Sequence, residues 1–262
     1  MKRILNITMW VVILAGIMVM LSFVNIEKNK ITCKSFDVLI EYQDYDPMIS
    51  PEYIEEIVFS GFDSLVGKKI SEIDLLSIEK KVNEIPFIES AEVYTSLFGN
   101  MKINAVQRKP ILRVINSKNK SYFIDYTGVA IPMPSGFSCR TLVATGHIQQ
   151  SYTDFSPVDI AATPKEKLEI ELIEDLHALA FYINDDEFLK AQIEQIYVTE
   201  SKEFELIPKV GRQLILFGGI ENMEKKFNNL IAFYKKGMKN NGWTKYKTIN
   251  LKFENQVVCA KK

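Results

Sequence analysis

Few residues in this 262-residue chain have the types and spacing that chemistry requires. Gly218-Gly219 falls between an expected strand and an expected helix, where a turn can cradle a phosphate on backbone N–H groups. The pair lacks both a Gly-x-Gly-x-x-Gly pattern and a following Lys-Ser/Thr, so it reads as glycines that turn the chain. His147 and His177 stand in neither His-Glu-x-x-His nor His-x3-His spacing, and His177 is read as a surface or packing residue of a helix. Asp185-Asp186-Glu187 would attract a cation weakly and reads as a solvated helix end. Cys33, Cys139 and Cys259 are odd in number and far apart. Without a Cys-x-x-Cys they point to small buried hydrophobes rather than a zinc or redox motif, although one unnamed pair could bridge in an oxidising compartment. No Gly-x-Ser-x-Gly elbow is present. Nothing assembles a nucleophile, a base and an oxyanion site, so the expectation is a protein with no catalysis, no cofactor and no metal.

What remains is the chemistry of the main chain. Thr248–Phe253 is expected to turn at Glu254-Asn255 into a last strand, Gln256–Ala260. A terminal strand at a sheet edge offers unpaired N–H and C=O groups on which a partner strand can continue the sheet. The residues alone leave a second reading open, in which the hairpin is plain core guarded by Lys261 and Lys262. On the docking reading, proline at Val257 is expected to remove an edge donor.

The elements that position this hairpin follow from periodicity. Met9–Val24 is apolar, and the run extends from Ile4 to Ile26 with few polar interruptions. A spanning helix needs roughly 20 apolar residues, and Trp10 near one end suits a membrane interface. No Ala-x-Ala cleavage pattern follows, so the run is read as an uncleaved anchor. Lys2 and Arg3 on one side and Lys28, Lys30 and Lys34 on the other leave the positive-inside count undecided. The large body after a short N-terminal segment is read as translocated. Beyond residue 26 the chain keeps 30 of its 32 Lys+Arg and all 33 Asp+Glu. Without a basic stripe, nucleic acid is not an expected partner, and no small-molecule substrate is expected either.

The fold class expected is α+β: one N-terminal transmembrane helix, a β-α-α-β-β domain, then a mixed β-rich domain with two long helices. In the first domain Phe36, Val38, Ile40 and Tyr42 alternate as a strand. Ser50-Pro51-Glu52 opens a helix with Tyr53, Ile54, Ile57 and Val58 on its apolar face, ending at Gly61. Asp74 caps a second, lined by Leu75, Ile78, Val82 and Ile85 and stopped by Pro86. Strands Glu89–Ser96 and Met101–Arg108 follow around Gly99-Asn100. This small sheet has edges, and a bare edge is a natural place for another chain's strand to add on. In the second domain strands are expected over Leu112–Ile115, Ser121–Asp125, Thr141–Ala144, Gln192–Thr199, Glu203–Pro208 and Gln213–Phe217, besides the last hairpin. Helices are expected over Lys165–Ile183 and Asn222–Met238, the second stopped by Asn240-Asn241-Gly242. Gln149–Pro164 reads as a loop.

This order behind a single anchor resembles the POTRA domain of the FtsQ/DivIB cell-division family. Pro86-Phe87-Ile88-Glu89-Ser90-Ala91-Glu92-Val93 is similar to that family's P-(F/W)-(V/I)-x-x-A-x-V stretch. Met101 to Pro110 is similar to its L-x-I-x-V-x-E-R-x-P ending, with Gln107 where the family usually has Glu. Tyr122 to Gly128, then Ile131-Pro132, match the segment that follows. The resemblance implies residues 1–8 as a cytoplasmic stub, 9–26 as a transmembrane helix, 31–108 as a POTRA-like domain and 109–262 as an FtsQ-type β-domain. It implies a non-enzymatic divisome scaffold in the cell inner membrane at the septum, with its body on the periplasmic side. It implies partners of the FtsB/FtsL type, received at Phe253, Asn255, Gln256, Val257, Val258 and Cys259, and it favours the docking reading of the last hairpin. Two other classes are weighed against it. An outer-membrane assembly component would need repeated POTRA units or a barrel, and a membrane-anchored cell-wall enzyme would need converging catalytic groups.

Overall fold

The computed structural model describes residues 9–18, 31–43, 45–62, 65–134, 136–137, 139–154, 168–238, 245–254 and 256–261. Residues 9–18 are helical. Among the described residues no helix is long and apolar enough to cross a membrane. The expected stub 1–8 and the rest of the expected anchor lie outside the described residues. So do Asn255, Lys262, the 240–242 helix stop, and most of the loop expected over 149–164. The chain divides into two compact units, Met1–Gln107 and Arg108–Lys262.

The first unit contains β1 (Ser35–Glu41), α1 (Pro51–Gly61), a 3-10 turn (Ile70–Glu72), α2 (Leu75–Asn83), β2 (Ile88–Thr95) and β3 (Asn100–Gln107). The sheet order is β1-β3-β2, with β1 parallel and β2 antiparallel to the central strand. A parallel β1–β3 pair needs a crossover, and the two helices are part of it. Their apolar faces fill the core: Ile54, Val58, Ile78 and Val82 are fully buried, together with Ile103 and Met101 of β3. Asp74 caps α2 by accepting the Ser77 N–H at 3.1 Å. Ser50 sits at the N-cap of α1 without bonding the helix backbone. Its hydroxyl bonds the Glu52 carboxylate instead, which lowers the pKa of that group.

Of the edges expected in this sheet, the one at β2 is not bare. The Asn83 amide accepts the Ala91 N–H at 2.8 Å and donates to the Ala91 carbonyl at 3.2 Å. Glu79 accepts the Val93 N–H at 3.0 Å. Side chains of α2 thus occupy the outward groups of this edge strand, a way of blunting it against strand addition. Gln107, fully buried at the end of β3, accepts the Met48 N–H at 2.7 Å and donates to the Asp46 carbonyl at 3.2 Å. Glutamate could do the first but not the second, which gives a physical reason for the amide here. Gln107→Glu sets an acceptor against an acceptor and is expected to cost about 1–3 kcal/mol, the penalty of a buried polar group left unpaired. The urea midpoint reads it, and an unchanged midpoint would contradict that role.

The second unit contains β4 (Pro110–Ile115), β5 (Ser121–Asp125), β6 (Ala130–Pro132), β7 (Leu142–Gly146), a 3-10 turn (Tyr152–Asp154), α3 (Leu168–Asp185), α4 (Glu187–Gln192), β8 (Ile193–Val198), β9 (Phe204–Pro208), β10 (Leu214–Gly218), α5 (Met223–Gly237), β11 (Tyr246–Asn250) and β12 (Val258–Lys261). All its strands join one nine-stranded sheet, ordered β12-β11-β10-β9-β8-β7-β4-β5-β6. Three neighbours are parallel: β4 with β7, β7 with β8, and β10 with β11. The last two pairs are bridged in sequence by α3 and α5, the long connections that parallel strands require. Leu172, Leu176, Leu179 and Ile183 of α3 meet Phe227, Leu230 and Tyr234 of α5 in one core with Ile196, Leu206, Ile215 and Ile249 from the sheet. Tyr182 stacks on Phe227 with ring centroids 4.9 Å apart. Two elements, β6 and α4, have no counterpart in the sequence reading.

Candidate functional site

The residues first considered for chemistry take structural roles. Gly218 ends β10 at φ +79°. The Gly219 carbonyl accepts the Lys226 amine at 2.8 Å. That amine also stands 5.0 Å over the Phe217 ring, and burial lowers its pKa. Lys226 therefore braces the strand-to-helix turn. Asp186 accepts the Leu189 N–H at 2.8 Å, so the acidic run Asp185-Asp186-Glu187 contains the N-cap of α4. His177 Nε2 lies 3.2 Å from the Tyr126 carbonyl. Among the described residues no disulfide joins Cys33, Cys139 or Cys259, and Cys33 is buried. Among the described residues no three His, Cys, Asp or Glu side chains converge to hold a metal.

The Asp125–Gly128 turn explains why several motif residues occur together. Asp125 has a side chain 2% exposed. Its Oδ2 accepts from the Arg108 guanidinium at 2.8 Å. Its Oδ1 accepts from Thr127 N–H at 2.9 Å, the Thr127 hydroxyl at 2.8 Å and Val129 N–H at 2.7 Å. Gly128 takes φ +88° to close the turn, and a Cβ there would meet the His177 ring at 3.4 Å. One carboxylate thus joins the entry to β4 with the β5–β6 turn. This is a scaffold built at the end of the sheet opposite β12.

At the other end of that sheet order lies β12, which pairs with β11 alone among the described residues. Its main-chain directions follow from one hydrogen bond. Leu251 N–H donates to the Leu216 carbonyl at 2.9 Å, so Leu251 faces β10. The N–H and C=O of one residue point to the same side of a strand, and successive residues alternate. Ile249 therefore faces β10 as well, and Thr248 and Asn250 face β12. Their partners in register are Ala260 and Val258. Cys259, opposite Ile249, turns its N–H and C=O outward, away from the sheet. Its side chain packs against the core, where burial raises the thiol pKa and keeps it protonated.

The hairpin differs in register from its sequence expectation. β11 ends at Asn250, whose side-chain carbonyl accepts the Lys252 N–H at 2.9 Å. That Asx-type bond turns the chain early. β12 starts at Val258 rather than Gln256. Phe253, Gln256 and Val257 consequently lie in the connecting segment, and Asn255 is outside the described residues. Of the six expected partner-binding positions only Val258 and Cys259 sit on the strand. Proline at Val257 would not act within β12, and the edge-facing donor inside it belongs to Cys259. Val257 and Cys259 are half-buried and Val258 and Ala260 exposed, but which main-chain groups face outward is set by hydrogen-bond phase and leaves no signal in residue type. Phe253, 48% exposed, borders a cleft of about 220 Å³ with Glu221, Asn222, Lys225, Lys252 and Glu254. Lys252 also pairs with Glu203.

Comparison with known proteins places both units. Residues 109–260 match the family model described as FtsQ/DivIB, C-terminal related. Residues 31–106 match the model of a POTRA-like domain. No curated protein matches the chain.

Proposed function

We propose that this chain, which belongs to the FtsQ/DivIB family of cell-division proteins, is a non-enzymatic scaffold that receives a division partner by strand addition at β12. The observation that carries the reading is an edge strand with outward main-chain groups at Cys259, left unpaired by β11. A strand laid along it would continue the sheet, and backbone pairing would supply the attachment. The cleft beside Phe253, rimmed by Glu221, Glu254, Lys225 and Lys252, would supply side-chain selection. Partners of the FtsB/FtsL type fit this role. The apolar run 9–26 would hold the scaffold in the inner membrane with its body on the periplasmic side, raising its effective concentration near other membrane-bound division proteins.

Photo-crosslinking in dividing cells tests the reading. Probes at Phe253, Val258 and Ala260 are expected to yield adducts with one small division protein, whereas a probe at exposed Glu92 of the blunted β2 strand is expected to yield none. Absence of adducts at all three positions, in a protein that still complements division, would overturn docking at β12.

A further inference from the structure

Two large apolar side chains stand together in solvent at the tip of the β2–β3 hairpin. Leu97 is 73% exposed and Phe98 76%. Tight turns usually draw on Gly, Asn, Asp and Ser, and apolar residues on soluble surfaces are ordinarily scattered singly. This tip is also fixed. Gly99 N–H donates to the Ser96 carbonyl at 3.1 Å. The Ser96 hydroxyl accepts the Asn100 N–H at 3.1 Å and the Phe98 N–H at 3.3 Å. Gly99 holds φ +91°, and a Cβ on it would lie 2.3 Å from the Thr32 carbonyl oxygen. The turn is therefore closed tightly on the chain at Thr32, and it presents Leu97 and Phe98 outward.

That neighbour is the start of the unit. Lys34 N–H donates to the Gly99 carbonyl, and Cys33 N–H to the Lys68 carbonyl, each at 2.8 Å. Gly67 N–H donates to the Cys33 carbonyl at 2.8 Å and Ile70 N–H to the Ile31 carbonyl at 3.0 Å. Residues 31–34 thus run between the hairpin tip and the Val66–Ile70 turn, which adds Val66, 50% exposed, and exposed Lys68 and Lys69. Lys69 shares its charge with Glu72 at 3.2 Å. Only four residues, Glu27 to Lys30, separate Ile31 from Ile26, the end of the apolar run. The five steps between them reach at most about 18 Å even when fully extended.

We propose that this end of the first unit is a bilayer-contacting face. Leu97, Phe98 and Val66 enter the boundary between headgroups and acyl chains, while Lys34, Lys68 and Lys69 face anionic headgroups. The proposal rests on the reading of residues 9–26 as a membrane anchor. It commits to lipid as the occupant because the covalent path confines this face to the neighbourhood of the surface from which the anchor emerges.

Depth-dependent quenching tests it on the full chain in vesicles of phosphatidylglycerol and phosphatidylcholine with brominated acyl chains. The sequence has two tryptophans, Trp10 and Trp243. A variant carrying Trp243→Phe reports on Trp10 alone. Adding Trp10→Phe and Phe98→Trp reports on the tip alone. The expected result is a blue-shifted emission at position 98, quenched more by shallow than by deep bromines, beside bromine quenching of Trp10 at the interface where the anchor begins. A water-like, unquenched emission at 98 with Trp10 quenched would overturn the tip and leave the anchor standing. An unquenched Trp10 would overturn both. Blue-shifted emission at 98 that ignores bromine and grows with protein density would mean that a second copy covers the tip, which also overturns the proposal.

Discussion

Replacing Asp125 by alanine is expected to destabilise the second unit by about 3–5 kcal/mol, the cost of breaking a buried ion pair by removing one partner. The carboxylate is 2% exposed and receives four hydrogen bonds, one of them from Arg108, whose side chain is 16% exposed. Alanine leaves that guanidinium charged and largely desolvated. It also leaves the Thr127 and Val129 N–H groups without the Oδ1 acceptor, and the φ +88° turn at Gly128 loses its closure. Asp125→Asn keeps the Oδ1 acceptor and removes the charge, so it is expected to cost less than alanine. Urea unfolding followed by circular dichroism reads both. A loss of under about 1 kcal/mol for alanine would place the Arg108–Asp125 pair among ordinary exposed ion pairs and contradict its bracing role.

Cys259→Pro is expected to weaken capture of the division partner about tenfold or more while the fold survives. The N–H at this position faces away from β11, so proline removes no ladder bond of the protein itself, a placement that edge strands tolerate. It does remove a donor to the incoming strand and sets a pyrrolidine ring in its path. A tenfold change corresponds to about 1.4 kcal/mol, near the upper end of the net value of one hydrogen bond. Two companions separate edge from packing. Cys259→Ala alters the half-buried side chain alone and is expected to leave affinity nearly unchanged. Val258→Pro removes an N–H directed at β11 opposite Asn250 and is expected to fray the hairpin. Unaltered partner affinity in a folded Cys259→Pro variant would remove the basis for docking at this edge.

The order β-α-α-β-β was legible because each element carries a strong local signal. Val38 and Ile40 alternate, Asp74 caps, Pro86 stops, and Ile78 and Val82 repeat at helical spacing. β5 and the interior of α3 and α5 were legible for the same reason. β6 and α4 were not, since three and six residues hold too little periodicity to stand out. The blunting of β2 is invisible in sequence, because Asn83 and Glu79 reach Ala91 and Val93 only once α2 lies along the strand. The end of β11 was misplaced because Asn250 competes for a backbone donor with its own side chain, against a run of β-prone residues. For the candidate site, sequence pointed to the last hairpin but not to which residues lie on its edge. Strand direction and hydrogen-bond phase decide that, and they are properties of pairing rather than of residue type. The roles of Arg108, Gln107 and Asp125 were likewise seen as motif letters before the geometry supplied their partners.

Residue-resolved amide hydrogen exchange measured with and without the bound division partner tests strand addition most directly. In the free protein Val258 and Ala260 are expected to exchange slowly, because β11 engages their main chain, and Cys259 quickly, because it faces solvent. When the partner binds, the Cys259 amide is expected to slow until it matches its neighbours. A complex that forms while Cys259 still exchanges as fast as in the free protein would contradict a scaffold that works by extending its own sheet.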